Sequence, residues 1–110
     1  MSDILNKYEL HGELYKVLIH PLRLYIMDAL RQGEKSVGEL LIGLEVSKAN
    51  ISQHLTILKS HGIISARRDG QNIYYKLEQP KIIDAMDTVH EILIGVLNNE
   101  KSKLDKLTEH

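Results

Sequence analysis

Cysteine, tryptophan and phenylalanine are absent from the 110 residues, and proline occurs only twice. The lack of cysteine excludes disulfides, thiolate metal sites and thiol redox chemistry. No apolar run approaches the roughly 20 residues that a membrane-spanning helix needs. The amino-terminal stretch is polar and acidic early, unlike a signal peptide, so the sequence predicts a cytoplasmic protein with no membrane association.

The sequence also lacks the patterns on which many enzymes depend. It has no glycine-rich phosphate loop, no Ser/His/Asp order and no metal-ligand spacing of the strong kind. Its 6 histidines are scattered along the chain instead of forming one cluster. We therefore expect neither an enzyme nor a bound cofactor.

What the chain does contain is a run of helical patterns, in a length that suits one domain over residues 1–110. Apolar residues recur at helical spacing near both ends and through the first half of the chain. Helix starts are indicated by Pro21, by a capping box at Ser36–Glu39, by Ser47 and by Pro80. Gly62 is the expected C-cap of the helix that begins after Ser47.

A β-hairpin is predicted directly after that helix, because the apolar period changes from 3.6 to 2. Asp69-Gly70 is a strong signal for a two-residue turn. A turn on these two residues pairs Arg68 with Gln71 and places Ala66 opposite Ile73. The register keeps the apolar side chains on one face of the hairpin.

The predicted fold is therefore mainly α with a small β-hairpin, in the order of a winged helix-turn-helix. The helix-turn-helix covers about 37–61, the wing about 63–77, and flanking helices cover about 3–19 and 80–107. In this arrangement the second helix of the pair enters the DNA major groove and the wing lies along the backbone or minor groove.

The outward residues of that second helix suit DNA. Asn and Gln can pair bidentately with adenine, and Lys or Ser can reach guanine or phosphate. No acidic residue occurs from Ser47 to Ser60, where a carboxylate would repel phosphate. The candidate DNA-binding residues of the helix are Ser47, Lys48, Asn50, Ser52, Gln53, His54, Thr56 and Lys59, and those of the wing are Arg67, Arg68, Gln71 and Asn72.

Charge follows the same division, although the formal net charge is only -1. The segment 47–80 carries a net positive charge, whereas the segments on both sides of it are net negative. A basic segment between acidic ends is typical of a small DNA-reading unit on an acidic scaffold.

Both terminal helices have apolar stripes that a domain of this size is too small to cover. The last helix alone is roughly 40 Å long at 1.5 Å per residue. We expect these stripes to form a dimer interface, since symmetric twofold association is the commonest solution. The candidate interface residues are Ile4, Tyr8, Tyr15, Ile83, Met86, His90, Leu93 and Leu97.

The segment from Val17 to Leu77 resembles the ArsR/SmtB family of bacterial and archaeal repressors. The matching stretches are 20–24, 36–40, 46–55, 58–64 and the wing 67–77. The resemblance implies a homodimeric transcriptional regulator that binds double-stranded DNA at an imperfect palindrome, usually as a repressor. It also implies a ligand or metal that lowers DNA affinity.

Two metal sites of the family find little support in these residues. Where many members carry cysteines in the third helix, this chain has Leu41 and Gly43, which cannot ligate. A second site type uses Asp-x-His on the last helix, whereas Asp87 and His90 are separated by two residues. They remain the candidates for a metal site of histidine and carboxylate ligands, and an interface role for His90 is the alternative.

Other interpretations stay open from the sequence. A winged helix can serve as a protein-interaction module that does not bind DNA, although Ser52, Gln53 and His54 on the recognition helix argue against it. The releasing signal is a small molecule, a partner protein or a metal bound without cysteine, or the protein has no effector at all.

Overall fold

The computed structural model describes residues 3–108. The chain divides into two compact units, one that ends at Gln79 and one that begins at Pro80. The helices of the first unit are α1 (Asp3–Leu18), α2 (Pro21–Ala29), α3 (Val37–Leu41) and α4 (Lys48–Ser60). Its strands are β1 (Lys35–Ser36), β2 (Ile64–Asp69) and β3 (Asn72–Leu77), and a short 3₁₀ turn covers Leu30–Gln32. The second unit is one helix, α5 (Lys81–Thr108). The fold is thus mainly α with a small antiparallel sheet, as predicted.

The core of the first unit is assembled from apolar faces of α2, α3 and α4. Ile51, Leu55 and Leu58 lie four and three residues apart on α4 and are all fully buried. Ile26 and Met27 of α2 are equally buried. Burying one such side chain stabilises the fold by about 1.5–3 kcal/mol, so this face determines which side of α4 remains exposed.

Local hydrogen bonds determine where α3 and α4 begin and end. Ser36 and Glu39 form the predicted capping box at the start of α3. Ser47 Oγ accepts from the Asn50 amide at the start of α4 (3.0 Å). At its end Gly62 has a φ of 73° and donates to the Lys59 carbonyl, while the Ile63 amide donates to the Leu58 carbonyl. These two bonds are a Schellman motif, which supports Gly62 as the residue that terminates α4.

The sheet has three strands in the order β1-β3-β2, and β1 was not predicted from the sequence. β1 is only two residues long, too short to show an alternating pattern. Lys35 pairs with Tyr75 and Ser36 with Tyr74. The wing hairpin is therefore anchored to the segment that leads into α3.

The predicted register of the hairpin is wrong by two residues. Asp69 pairs with Asn72 and Ala66 with Tyr75, so the turn residues are Gly70 and Gln71. Gly70 has a φ of 63°. No other residue of this turn has a positive φ, which is the pattern of a type II′ turn with glycine first. A shift of two residues keeps every side chain on its face, so apolar alternation alone could not distinguish the two registers.

The helix α5 has 28 residues and presents most of its apolar residues to solvent. Ile83 is an exception to the predicted dimer interface, because it is already buried in the single chain at 8% exposure. Met86 is half-buried, whereas Leu93 and Leu97 are exposed. Within residues 3–108 no helix is both long and apolar enough to cross a membrane.

Candidate nucleic-acid interface

The side of α4 that the core leaves exposed is polar and free of carboxylates. Lys48, Asn50, Gln53 and Lys59 are exposed there. Within residues 3–108 none of these four side chains forms an internal hydrogen bond or ion pair. They therefore retain donors and acceptors that a nucleic acid could use.

Three hydroxyl side chains of the predicted site have less freedom. Ser47 caps the helix through its Oγ. Thr56 is exposed, but its Oγ1 donates to the Ser52 carbonyl at 2.9 Å within α4. Ser52 itself is half-buried. The proposed site on α4 therefore depends mainly on amide and ammonium groups.

His54 does not face outward as the sequence predicted. It is half-buried, and its Nδ1 accepts a hydrogen bond from Arg23 Nε of α2 (3.0 Å). Its ring lies against that of His20, with centroids 4.2 Å apart. Burial lowers the pKa of His54, and the nearby His20 and Arg23 lower it further. The reason for the error is that α2 covers this position of α4.

Arg67 was predicted to contact DNA from the wing tip, but it forms an ion pair within the chain instead. Its Nε donates to both carboxylate oxygens of Glu34 (3.0 and 2.8 Å), and a terminal nitrogen lies 2.8 Å from Glu34 Oε2. Its guanidinium stands 4.9 Å from the centroid of the Tyr74 ring, the cross-strand neighbour. Hydrogen bonding to Arg67 lowers the pKa of Glu34.

The remaining wing residues are at the tip as expected. Arg68, Gln71 and Asn72 are exposed, beside the turn at Gly70 and Gln71. Among the described residues Arg68 forms no ion pair, whereas Asp69 lies 3.8 Å from Arg67. Arg68 is thus a cation beside the wing tip that is free for a phosphate, unlike its neighbour Arg67.

The candidate metal ligands of α5 do not form a site in the single chain. Asp87 and His90 are both exposed. Across residues 3–108 no group of three or more His, Cys, Asp or Glu side chains could hold a metal ion.

Comparison with known proteins identifies the family. Residues 20–66 match the model of "Bacterial regulatory protein, arsR family", a segment from the start of α2 to the middle of β2. The HTH-type transcriptional regulator Rv0081 of Mycobacterium tuberculosis is 38% identical over 103 residues, which cover 91% of this chain and 89% of the relative. The chain belongs to the arsR family.

Further similarities extend this result to the structure. The crystal structure of Rv0081 is similar to this ArsR-family chain with a TM-score of 0.73, covering 91% of this chain and 98% of the other. The structure of NolR from Sinorhizobium fredii gives 0.73 at 30% identity, with coverage of 84% and 93%. The biofilm growth-associated repressor of Agrobacterium fabrum is 38% identical over 86 residues, 78% of this chain and 74% of that protein.

Membership of the family makes this protein a DNA-binding transcriptional regulator with a winged helix-turn-helix. Its relatives are transcriptional regulators and repressors, not enzymes. The contacts of His54 and Arg67 could not be predicted from local patterns, because their partners Arg23 and Glu34 lie 31 and 33 residues away in the chain. A local contact next to Arg23 is the N-cap of α2, where His20 Nδ1 accepts from the Leu22 amide at 3.1 Å.

Proposed function

We propose that this ArsR-family regulator is a homodimeric repressor that reads a palindromic operator through α4 and its wing. The observation that carries this proposal is the exposed face of α4, where Lys48, Asn50 and Gln53 are unengaged and no carboxylate occurs. Asn50 and Gln53 are proposed to contact base edges, and Lys48 and Lys59 to contact phosphate. On the wing, Arg68, Gln71 and Asn72 are proposed contacts to the backbone or minor groove.

The contact list proposed here differs from the one expected from sequence. His54 and Arg67 are left out as direct contacts, because Arg23 and Glu34 already occupy their polar groups. Ser47, Ser52 and Thr56 are kept only as short-range contacts to phosphate, since two of them bond within or at the start of α4.

The dimer is supported by apolar side chains that the single chain leaves in solvent. On α1, Ile4, Tyr8 and Tyr15 are between 51% and 70% exposed. On α5, Leu93 and Leu97 are about half exposed, and Val89, Ile92 and Val96 lie exposed on the same helix. We propose that a second copy covers each of these surfaces, with His90 beside the stripe of α5. Two recognition helices would then read half-sites about 34 Å apart.

Release from DNA by a signal is part of the proposal, as is action in the cytoplasm, where bacterial DNA lies. A signal held by thiolates of this chain is excluded, because the chain has no cysteine.

Fluorescence anisotropy tests the proposal with the best duplex recovered by in vitro selection from a random pool. Binding tighter than about 10⁻⁸ M, and at least about a thousandfold tighter than to random DNA at physiological salt, is expected for a specific regulator. Equal affinity for selected and random DNA would reject it. Sedimentation of the free protein tests the dimer, and a monomer at micromolar concentration would contradict that part.

A further inference from the structure

A cluster of three side chains connects the recognition helix to the elements that precede it. His20 stands at the N-cap of α2, Arg23 lies in the first turn of α2, and His54 is in the middle of α4. Arg23 donates from Nε to His54 (3.0 Å) and from a terminal nitrogen to the Val17 carbonyl of α1 (2.9 Å). One guanidinium therefore joins α1, α2 and α4.

The hydrogen bond from Arg23 favours one protonation state of His54. Nδ1 of His54 accepts from Arg23 Nε. A nitrogen that accepts a hydrogen bond carries no proton, so the His54 ring is neutral with its proton on Nε2. Protonating Nδ1 of His54 would set two donors against each other and add a positive charge beside Arg23.

No carboxylate of residues 3–108 is among the groups that affect the pKa of His54, so none would compensate that charge. In the part of the chain that the structure describes, the charged or titratable groups that act on His54 are His20 and Arg23. The contribution of α1 is a backbone carbonyl. The carboxylate of Glu39 on α3 is bound to Ser36, and Arg67 on β2 is bound to Glu34.

We propose that Arg23 is a positioning residue for the recognition helix, and that His54 makes this contact proton-sensitive, so that acid weakens operator binding. This inference rests on the proposed function, because it needs a specific DNA site as its readout. Above neutral pH the His54 imidazole accepts its hydrogen bond from Arg23 and α4 is held in place. On protonation of His54 this bond is lost.

The direction of the pKa shift of His54 agrees with a proton-sensitive contact between Arg23 and His54. The pKa of His54 is lowered from its ordinary value of 6.5, mainly by burial. A lowered pKa means that the folded state favours the neutral ring. Its contribution to stability is therefore complete above the ordinary pKa and is lost as the pH falls through the folded one.

The first test measures anisotropy of the selected duplex between about pH 7.5 and 5.5 at constant ionic strength, across the range where histidine titrates. The wild type should lose affinity toward acid by about tenfold per pH unit at most for each coupled proton. The opposite trend is what general electrostatics predicts, because added positive charge on the protein tightens DNA binding. A wild-type affinity that is flat or rises toward acid would overturn the proposal.

Variants identify the source of the pH dependence. The variant His54→Asn keeps a hydrogen-bond acceptor for Arg23 but cannot titrate. Its pH profile should be flat or reversed. The matched control is His61→Asn, an exposed histidine at the end of the same helix, which should keep the wild-type profile. A His54→Asn variant that keeps the wild-type profile would rule out His54 as the cause.

An NMR titration of the His54 ring in the wild-type protein tests the proton-sensitive contact without DNA. We expect His54 to carry its proton on Nε2 at neutral pH and to titrate below 6.5. A proton on Nδ1 of His54, or a pKa of His54 above that value, would reject the proton-sensitive contact with Arg23 even if DNA binding were specific. Conversely, a titration as expected, with no preference of the protein for any selected duplex at pH 7.5, would reject the proposed function and the DNA part of this inference with it.

Discussion

The helices α4 and α5 are both amphipathic, but the apolar side of α4 is buried in the single chain whereas most of that of α5 is exposed. α4 has 13 residues and buries Ile51, Leu55 and Leu58 completely. α5 has 28 residues, and Ile83 is its one buried residue among those described. Apolar periodicity therefore identifies a helix whose apolar face is to be buried. It does not show whether that face is buried by the same chain or by another one. The exposed stripe of α5 is what makes a second copy part of the proposed function.

The substitution with the largest expected effect tests whether a second copy buries the apolar stripe of α5. Leu93→Asp places a charge in the proposed interface of each copy, and an unpaired buried charge costs about 3–5 kcal/mol. We expect a monomer by sedimentation and the loss of operator binding. Asn98→Asp is the control, because it adds the same charge at an exposed polar position of α5. An intact Leu93→Asp dimer would mean that something other than a second copy covers this stripe.

Leu55→Ala tests the burial of the apolar face of α4, which is buried within the single chain. A fully buried leucine truncated to alanine lowers the free energy of unfolding by about 2–5 kcal/mol. Urea denaturation measures this change. Leu104→Ala is its counterpart at an exposed site of α5, where the change should stay within about 0.5 kcal/mol. Similar losses in the two variants would remove the contrast between the helices.

Asn50→Ala tests the exposed side of α4. If the amide contacts a base, operator binding should weaken by about 1–3 kcal/mol, while binding to random DNA stays unchanged. Anisotropy on both duplexes separates these effects, and Asn98→Ala is the control, because it removes the same amide at an exposed position of α5 outside the proposed DNA contacts. Equal loss on both duplexes would refute base reading by Asn50.

The smallest effect separates the two neighbouring arginines of the wing. Arg68→Ala should weaken binding to all sequences alike and reduce the salt slope by about one. Arg67→Ala should leave the slope unchanged, because Glu34 already neutralises that guanidinium. The measurement is affinity against salt concentration for both variants. A reduced slope for Arg67→Ala would show that Arg67 leaves Glu34 to contact phosphate.

Much of this fold could be predicted because its signals are local. The capping box at Ser36, the cap at Ser47 and the C-cap glycine at 62 each involve residues only a few positions apart. The change of period after α4 predicted the wing and the order of elements predicted a winged helix. The dimer, the operator and the individual DNA contacts remain predictions that the structure supports but does not test.

The amino-acid sequence by itself determined the helices, their caps, the hairpin faces and the acid-free exposed side of α4. The tertiary structure decided the register of the wing, because a slip of two residues preserves every face. It also decided the roles of His54 and Arg67, whose partners lie 31 and 33 residues away in the chain. A pattern along the chain shows which side chains can point outward. Whether a neighbouring element then occupies their polar groups depends on how the elements pack.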